Sequence, residues 1–194
     1  MRSSGSTRSP PPESPVRLFI ALAGEDHPKA CTGRRLLARG LARPARGGSD
    51  RPARPITLDP HAAHPLSSED RARADASGLL AVDCSWNQLA SRGRLPTDAG
   101  DSARPPPRRR LPILVAANPQ HYGRLTELNT VEALSAAVYL LGRPVQAARL
   151  LDGFRGGGQF LEINRERLDA YAAAADAEAV RAVERDLFGG EDPS

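Results

Sequence analysis

An acid, a thiol, a hydroxyl and the only tryptophan of the chain stand next to one another at Asp83, Cys84, Ser85 and Trp86. They follow a short apolar run, Leu79 to Val82, that reads as a buried strand. A buried strand that ends in polar side chains beside a large aromatic is the one-dimensional trace of a ligand cleft. A second apolar run, LPILVAANP over residues 111–119, reads as another strand and also ends in a polar turn. Asn129 with Glu132 then spells a capping pair for the helix VEALSAAVYLLG, which closes at Gly142. Two strand ends and a helix start can share one crevice. Chemistry is expected there first.

The elements that must position these residues follow in chain order. Residues 16–23 read as the opening strand, and Thr32-Gly33 begins a short basic helix with Leu36, Leu37 and Leu41 on one face. Ile56-Thr57-Leu58 can form a second strand. Ser67 and Asp70 make a capping box for a helix that runs to about Ser77, where Gly78 stops it before the LLAV strand. The order β, α, β, α, β predicts an α/β fold with a mostly parallel sheet and helices on both faces. Residues 91–110 lack periodicity and read as a flexible excursion; its closing Arg108, Arg109 and Arg110 are a solvated charge run or, beside the cleft, a phosphate-binding patch. A nearly all-apolar helix from Asn129 is followed by another from Val145 to Phe154. The glycines at 156–158 read as a C-cap and linker, and Asn164 as the cap of one last helix reaching Phe188. The domain reading is a disordered tail over 1–15, an N-terminal α/β part over 16–77, a ligand-binding part over 78–171 with the 91–110 insertion, and a helical tail over 172–194.

Composition narrows the class. The chain has 194 residues, a formal charge of +4 and a pI near 9.7. Lys29 is the only lysine, so the positive charge is carried by arginine, and its sign favours a polyanionic partner. Aromatic residues make up only 4%, which argues against a surface that stacks many unpaired bases and leaves arginine–phosphate contact as the expected mode. Cys31 and Cys84 are the only cysteines, too few for an iron–sulfur cluster or a four-thiolate zinc site. His27, His61, His64 and His121 show no metal-ligand spacing, so no metal is expected. The RLFIALA run is too short for a signal peptide core and no run reaches membrane-spanning length; a soluble, cytoplasmic protein without membrane contact is expected.

Four separated blocks carry a family resemblance: DHPKACTGRRL from Asp26, GLLAVDCSW from Gly78, LPILVAANPQHYGR from Leu111 and LNTVEALSAA from Leu128. In this order they resemble the small-subunit (16S/18S) rRNA aminocarboxypropyltransferases, ribosome-biogenesis enzymes of archaea and eukaryotes, over about residues 16–171. The resemblance implies a SPOUT-like, trefoil-knotted fold that binds S-adenosylmethionine (SAM) as co-substrate. It implies transfer of the 3-amino-3-carboxypropyl group to a pseudouridine, N1-methylated or not, in small-subunit rRNA, with 5′-methylthioadenosine released. It also implies a monomer.

The same resemblance implies roles for particular residues. Thr32 and Thr130 would bind the amino-acid part of SAM and Val82 its ribose, while Leu111 and Thr126 would frame the adenine, mainly through main-chain groups. Trp86, Leu58 and Leu89 would wall off the sulfonium methyl so that the chain carbon, not the methyl, meets the acceptor; a tryptophan face also suits a cationic sulfonium. Asp83 is the candidate general base for the acceptor nitrogen, or alternatively a structural carboxylate. Lys29, Arg34 and Arg35 are expected to contact RNA, with Arg108, Arg109 and Arg110 beside them. The chain departs from the family pattern at Ala30, where a basic residue is usual, and at Thr126, where an aromatic is common. A non-catalytic RNA-binding assembly factor and a SAM-dependent RNA methyltransferase are the competing readings.

Overall fold

Five strands, β1 (Leu18–Leu22), β2 (Arg43–Pro44), β3 (Ile56–Leu58), β4 (Leu79–Asp83) and β5 (Arg108–Arg109), form one sheet in the order β2-β1-β4-β3-β5. Every strand pairing in it is parallel. The computed structural model describes residues 14–22, 31–45, 54–83 and 106–189. Because β4 lies between β1 and β3, strands from before and after residue 78 belong to the same sheet. In β4 the residues Leu79, Leu80 and Ala81 are buried, as expected of a central parallel strand covered on both faces.

The helices are α1 (Thr32–Ala38), α2 (Arg71–Ser77), α3 (Thr130–Leu140), α4 (Pro144–Leu151), α5 (Gly157–Ile163), α6 (Arg165–Ala173) and α7 (Ala177–Phe188). A 3-10 turn over Ser68–Asp70 leads into α2, and its capping box between Ser67 and Asp70 is present as the sequence predicts. Gly78, at φ 78°, ends α2 and turns the chain into β4. The apolar α3 is enclosed by β4, α1, α4 and α6, which explains why it carries hydrophobic residues all round. Its Val131, Leu134, Ala136, Ala137, Val138 and Leu140 form the middle of the core.

Residues 111–118 differ from expectation. They form no strand; an isolated antiparallel bridge of Val115 with Leu125 sets them beside residues 123–126, with Ala116 N donating to Arg124 O, Gly123 N to Ala116 O and Thr126 N to Leu114 O. On the other side their main-chain groups are met by side chains. Glu184 accepts from Ile113 N at 3.0 Å, and Asn164 both accepts from Val115 N and donates to Val115 O at 2.8 Å. Glu132 accepts from Ala117 N at 2.9 Å, and Tyr171 donates to Ile113 O at 3.2 Å. Buried peptide groups need partners, and here α3, α6, α7 and Asn164, just before α6, supply what a neighbouring strand would have supplied.

Two further expectations are corrected. The glycines at 156–158 are not a linker: Gly156, at φ 77°, precedes α5, and Gly157 and Gly158 open that helix. A Cβ on Gly156 would come within 2.2 Å of Ala117 O, so the turn lies directly on the 111–118 segment. The last helix is two helices. Ala174 leaves the helical region at ψ 129°, and Asp176 caps α7 by accepting from Ala179 N at 2.8 Å. Ser68 Oγ meets the freed carbonyls of Ala174 and Ala175, which fixes the break against the start of α2.

Candidate active site

Asp83 is the last residue of β4 and is 8% exposed. It pairs in register with Leu22, the last residue of β1, so its side chain stands where two parallel strands finish together. Its Oδ1 accepts a hydrogen bond from Thr130 Oγ1, and its Oδ2 accepts one from Cys31 Sγ. Thr130 is the first residue of α3, and Cys31 is the residue that caps α1. One carboxylate therefore joins the end of β4 to the starts of two helices. The crevice outside the carboxyl ends of parallel strands is where open α/β sheets bind ligands.

Local sequence explains the junction. Asn129 and Glu132 form the expected capping box, with Glu132 N donating to Asn129 Oδ1 at 2.9 Å and Asn129 N to Glu132 Oε2 at 3.0 Å. The same Glu132 takes Asn118 Nδ2 at 2.7 Å, so the turn after residue 117 and the start of α3 are held by one buried carboxylate. On the other side, Cys31 Sγ accepts from Arg34 N at 3.3 Å and so caps α1. Gly33 follows, where a Cβ would lie 2.6 Å from Asp83 Oδ2 and 2.7 Å from its Cγ. Only glycine lets α1 approach the carboxylate this closely. Burial and the neighbouring Asp83 push the Cys31 thiol up to about 11, so it is a protonated donor at neutral pH and not a thiolate nucleophile.

The other residues singled out from the sequence are placed as follows. Leu58, buried, ends β3; Val82, half-buried, precedes Asp83; Leu111 lies just beyond β5. In an all-parallel sheet these positions share one edge with Asp83. Thr32 opens α1 beside Cys31 and is half-buried. Thr126 is exposed and left-handed at φ 64°, with its N–H donated to Leu114 O at 2.9 Å and its carbonyl accepting from Leu128 N at 2.8 Å. Lys29, Cys84, Ser85, Trp86 and Leu89 lie outside the described residues, as do 1–13 and 91–105.

The arginines divide into two groups. Arg34 and Arg35 are exposed on α1, and the Arg35 guanidinium lies 4.2 Å from the Phe154 ring centroid while donating to Gly153 O at 2.9 Å. Arg108, Arg109 and Arg110 are half-buried and do not form a solvated run. Arg108 pairs with Asp59 at 2.9 Å and Arg109 with Asp70 at 2.8 Å. Arg110 grips both oxygens of Glu184 at 2.7 Å, a bidentate bond that ties the end of β5 to α7. Sequence reasoning passed over Cys31, Gly33 and Glu184. The CTG block gave a signal for the first two, but nothing adjacent in sequence marks Glu184 as the partner of Arg110. Among the described residues, no group of three or more His, Cys, Asp or Glu is arranged to hold a metal ion, and no helix is long and apolar enough to cross a membrane.

The ribosome biogenesis protein C-terminal family matches over residues 56–188. The 16S rRNA aminocarboxypropyltransferase of Methanopyrus kandleri is 42% identical over 174 residues, 89% of this chain and 99% of that protein. The 18S rRNA aminocarboxypropyltransferase of Schizosaccharomyces pombe is 37% identical over 172 residues, 88% of this chain and 57% of that protein. Among solved structures, the SAM-dependent rRNA:acp-transferase from Vulcanisaeta distributa superposes with a TM-score of 0.73 at 32% identity, covering 90% of this chain and 99% of that one.

Proposed function

We propose that this chain, which belongs to the rRNA aminocarboxypropyltransferase family of ribosome-biogenesis proteins, transfers the 3-amino-3-carboxypropyl group of SAM to rRNA. The acceptor is a pseudouridine of small-subunit rRNA, with or without an N1 methyl, and 5′-methylthioadenosine is the second product. The protein acts as a cytoplasmic monomer. The observation that carries this reading is the junction of Cys31, Asp83 and Thr130 at the carboxyl ends of β1 and β4.

The residues present fit such a co-substrate. Leu58, Val82 and Leu111 offer apolar side chains and main-chain groups along one strand edge, suited to a nucleoside. The polar end of the site lies at Thr32 and Thr130, where the dipole of α3 favours a carboxylate. SAM bound there supplies an electrophilic chain carbon and a thioether leaving group. Leu58, with Trp86 and Leu89 by the family resemblance, is assigned the task of keeping the methyl from the acceptor.

Asp83 takes the acceptor's ring N–H proton as the N–C bond forms and the C–S bond breaks. Each carboxylate oxygen has more than one acceptor site, so Oδ1 and Oδ2 keep capacity after receiving Thr130 and Cys31. Fixing the carboxylate in advance favours reaction because orientation need not be gained in the transition state. RNA phosphates are taken by Lys29, Arg34 and Arg35. Arg108, Arg109 and Arg110 each hold a carboxylate of the protein itself and are assigned to the fold.

Incubation of the protein with SAM and small-subunit rRNA, followed by chromatography of the small products, tests the reading. Methylthioadenosine supports it, with Asp83→Asn expected to cut the transfer rate by about 100-fold or more, the scale of a lost general base. S-adenosylhomocysteine in its place would make the protein a methyltransferase. SAM bound without either product, on a competent acceptor, would favour an assembly factor.

A further inference from the structure

We infer that Cys31 is a positioning residue for this reaction, its Sγ–H fixing Oδ2 of Asp83 and thereby the direction in which the carboxylate faces the acceptor. The inference rests on the proposed role of Asp83. Its geometry stands independently of that role.

The thiol is held from both sides. Sγ accepts from Arg34 N at 3.3 Å, which sets its place relative to α1, and donates to Asp83 across 52 residues of sequence. With Thr130 on the other oxygen, the carboxylate cannot turn about its Cβ–Cγ bond without losing a donor. Gly33 closes the remaining side, since nothing larger fits between α1 and the carboxyl group.

Capping alone does not account for a cysteine here. Serine, threonine, aspartate and asparagine are the effective N-cap residues, and a sulfur is a weaker acceptor than any of their oxygens. Nor does nucleophilic chemistry account for it. The thiol is 4% exposed and pushed up to about 11, by burial first and by the Asp83 contact next, with Arg34 opposing. Asp83 from β4 and Arg34 from its own helix are the charged groups acting on it. A donor that stays protonated at neutral pH is suited to one task, the neutral end of a hydrogen bond to a carboxylate. The proton stays on sulfur throughout, and no bond to Cys31 forms or breaks.

Single-turnover transfer and SAM affinity in C31A, C31S, D83N and the C31A/D83N double variant of the full chain test the inference. C31A is expected to slow transfer roughly tenfold or more, the scale of one lost hydrogen bond to a charged group, while SAM binds with nearly unchanged affinity. C31S restores most of the rate. In the D83N background, C31A adds less than about a twofold effect, because the two residues act as one unit. Independent, multiplying effects, or a C31A enzyme within about twofold of the parent, would overturn the inference. Should C31A not fold, titrating the Cys31 thiolate by its ultraviolet absorbance in a C84S background, with and without D83N, reads the contact directly. D83N is expected to bring that titration down, and an unchanged titration would overturn the inference. Absence of transfer in the parent protein would count against the proposed function, whereas the titration reports on the Cys31–Asp83 contact in either case.

Discussion

Thr130 Oγ1 donates a hydrogen bond to Oδ1 of Asp83, tying the first residue of α3 to the last residue of β4. The hydroxyl cannot be replaced by a methyl without leaving a buried carboxylate oxygen short of a donor. Thr130→Val, which keeps the shape, is expected to lower the transfer rate by about 10- to 100-fold, and Thr130→Ser to retain most of it. Rates measured at saturating SAM separate this effect from weakened binding.

Gly33 separates local helix preference from the needs of the site. Alanine is a better helix former than glycine by roughly 1 kcal/mol, so Gly33→Ala should strengthen α1 considered alone. In the folded protein the added Cβ would stand 2.6 Å from Asp83 Oδ2. We expect the variant to lose transfer activity by at least about tenfold, and to gain no stability in a urea titration.

The two capping boxes, the strand Ile56–Leu58 and the stop at Gly78 were legible because each is written in neighbouring residues. Leu111 to Asn118 was misread for the opposite reason. Its apolar pattern is that of a buried strand, but one side is met by the turn over residues 123–126 and the other by the side chains of Glu132, Asn164 and Glu184, further along the sequence. The opening strand shows the same effect on a small scale: Val16 bonds through both peptide groups to the Gln146 side chain, and β1 begins only at Leu18. Arg108 to Arg110 read as a solvated charge run or a phosphate-binding patch, and their pairing with Asp59, Asp70 and Glu184 was not legible because those carboxylates come from three separate places. At the site, Asp83 was expected at a strand end and Thr32 and Thr130 were expected from the family resemblance. That Cys31 and Thr130 grip opposite oxygens of Asp83 could not.

Glu184 gives a stability test remote from the chemistry. It is buried, accepts one hydrogen bond from each of Arg110 Nη1 and Nη2, and also receives Ile113 N. Glu184→Ala removes the carboxylate that Arg110 and Ile113 N share, and should cost about 1–3 kcal/mol in urea unfolding. Glu184→Gln, which can still accept, should cost clearly less.

The Cys31 thiol makes an alkaline signature. Unfolded, it titrates near its ordinary value of 9.0; folded, burial first and then the bond to Asp83 raise it to about 11. The folded state therefore holds the proton longer, so the stability this group contributes is complete below about pH 9 and is lost as pH rises towards 11. Urea midpoints across that window should fall more steeply for the parent than for C31S, whose hydroxyl does not titrate. The comparison is needed because Tyr139, through its bond to Asp169, and Tyr171, through burial, are shifted in the same direction.

In the proposed transfer the chain carbon of SAM, and not its methyl, reaches the RNA. This is tested most directly with SAM labelled differently in the carboxyl and methyl groups, incubated with the protein and small-subunit rRNA or a hairpin carrying N1-methylpseudouridine, and followed by separation of RNA from small molecules. Carboxyl label is expected in the RNA and methyl label in released methylthioadenosine. Methyl label in the RNA with the carboxyl label left in S-adenosylhomocysteine would contradict the proposed transfer.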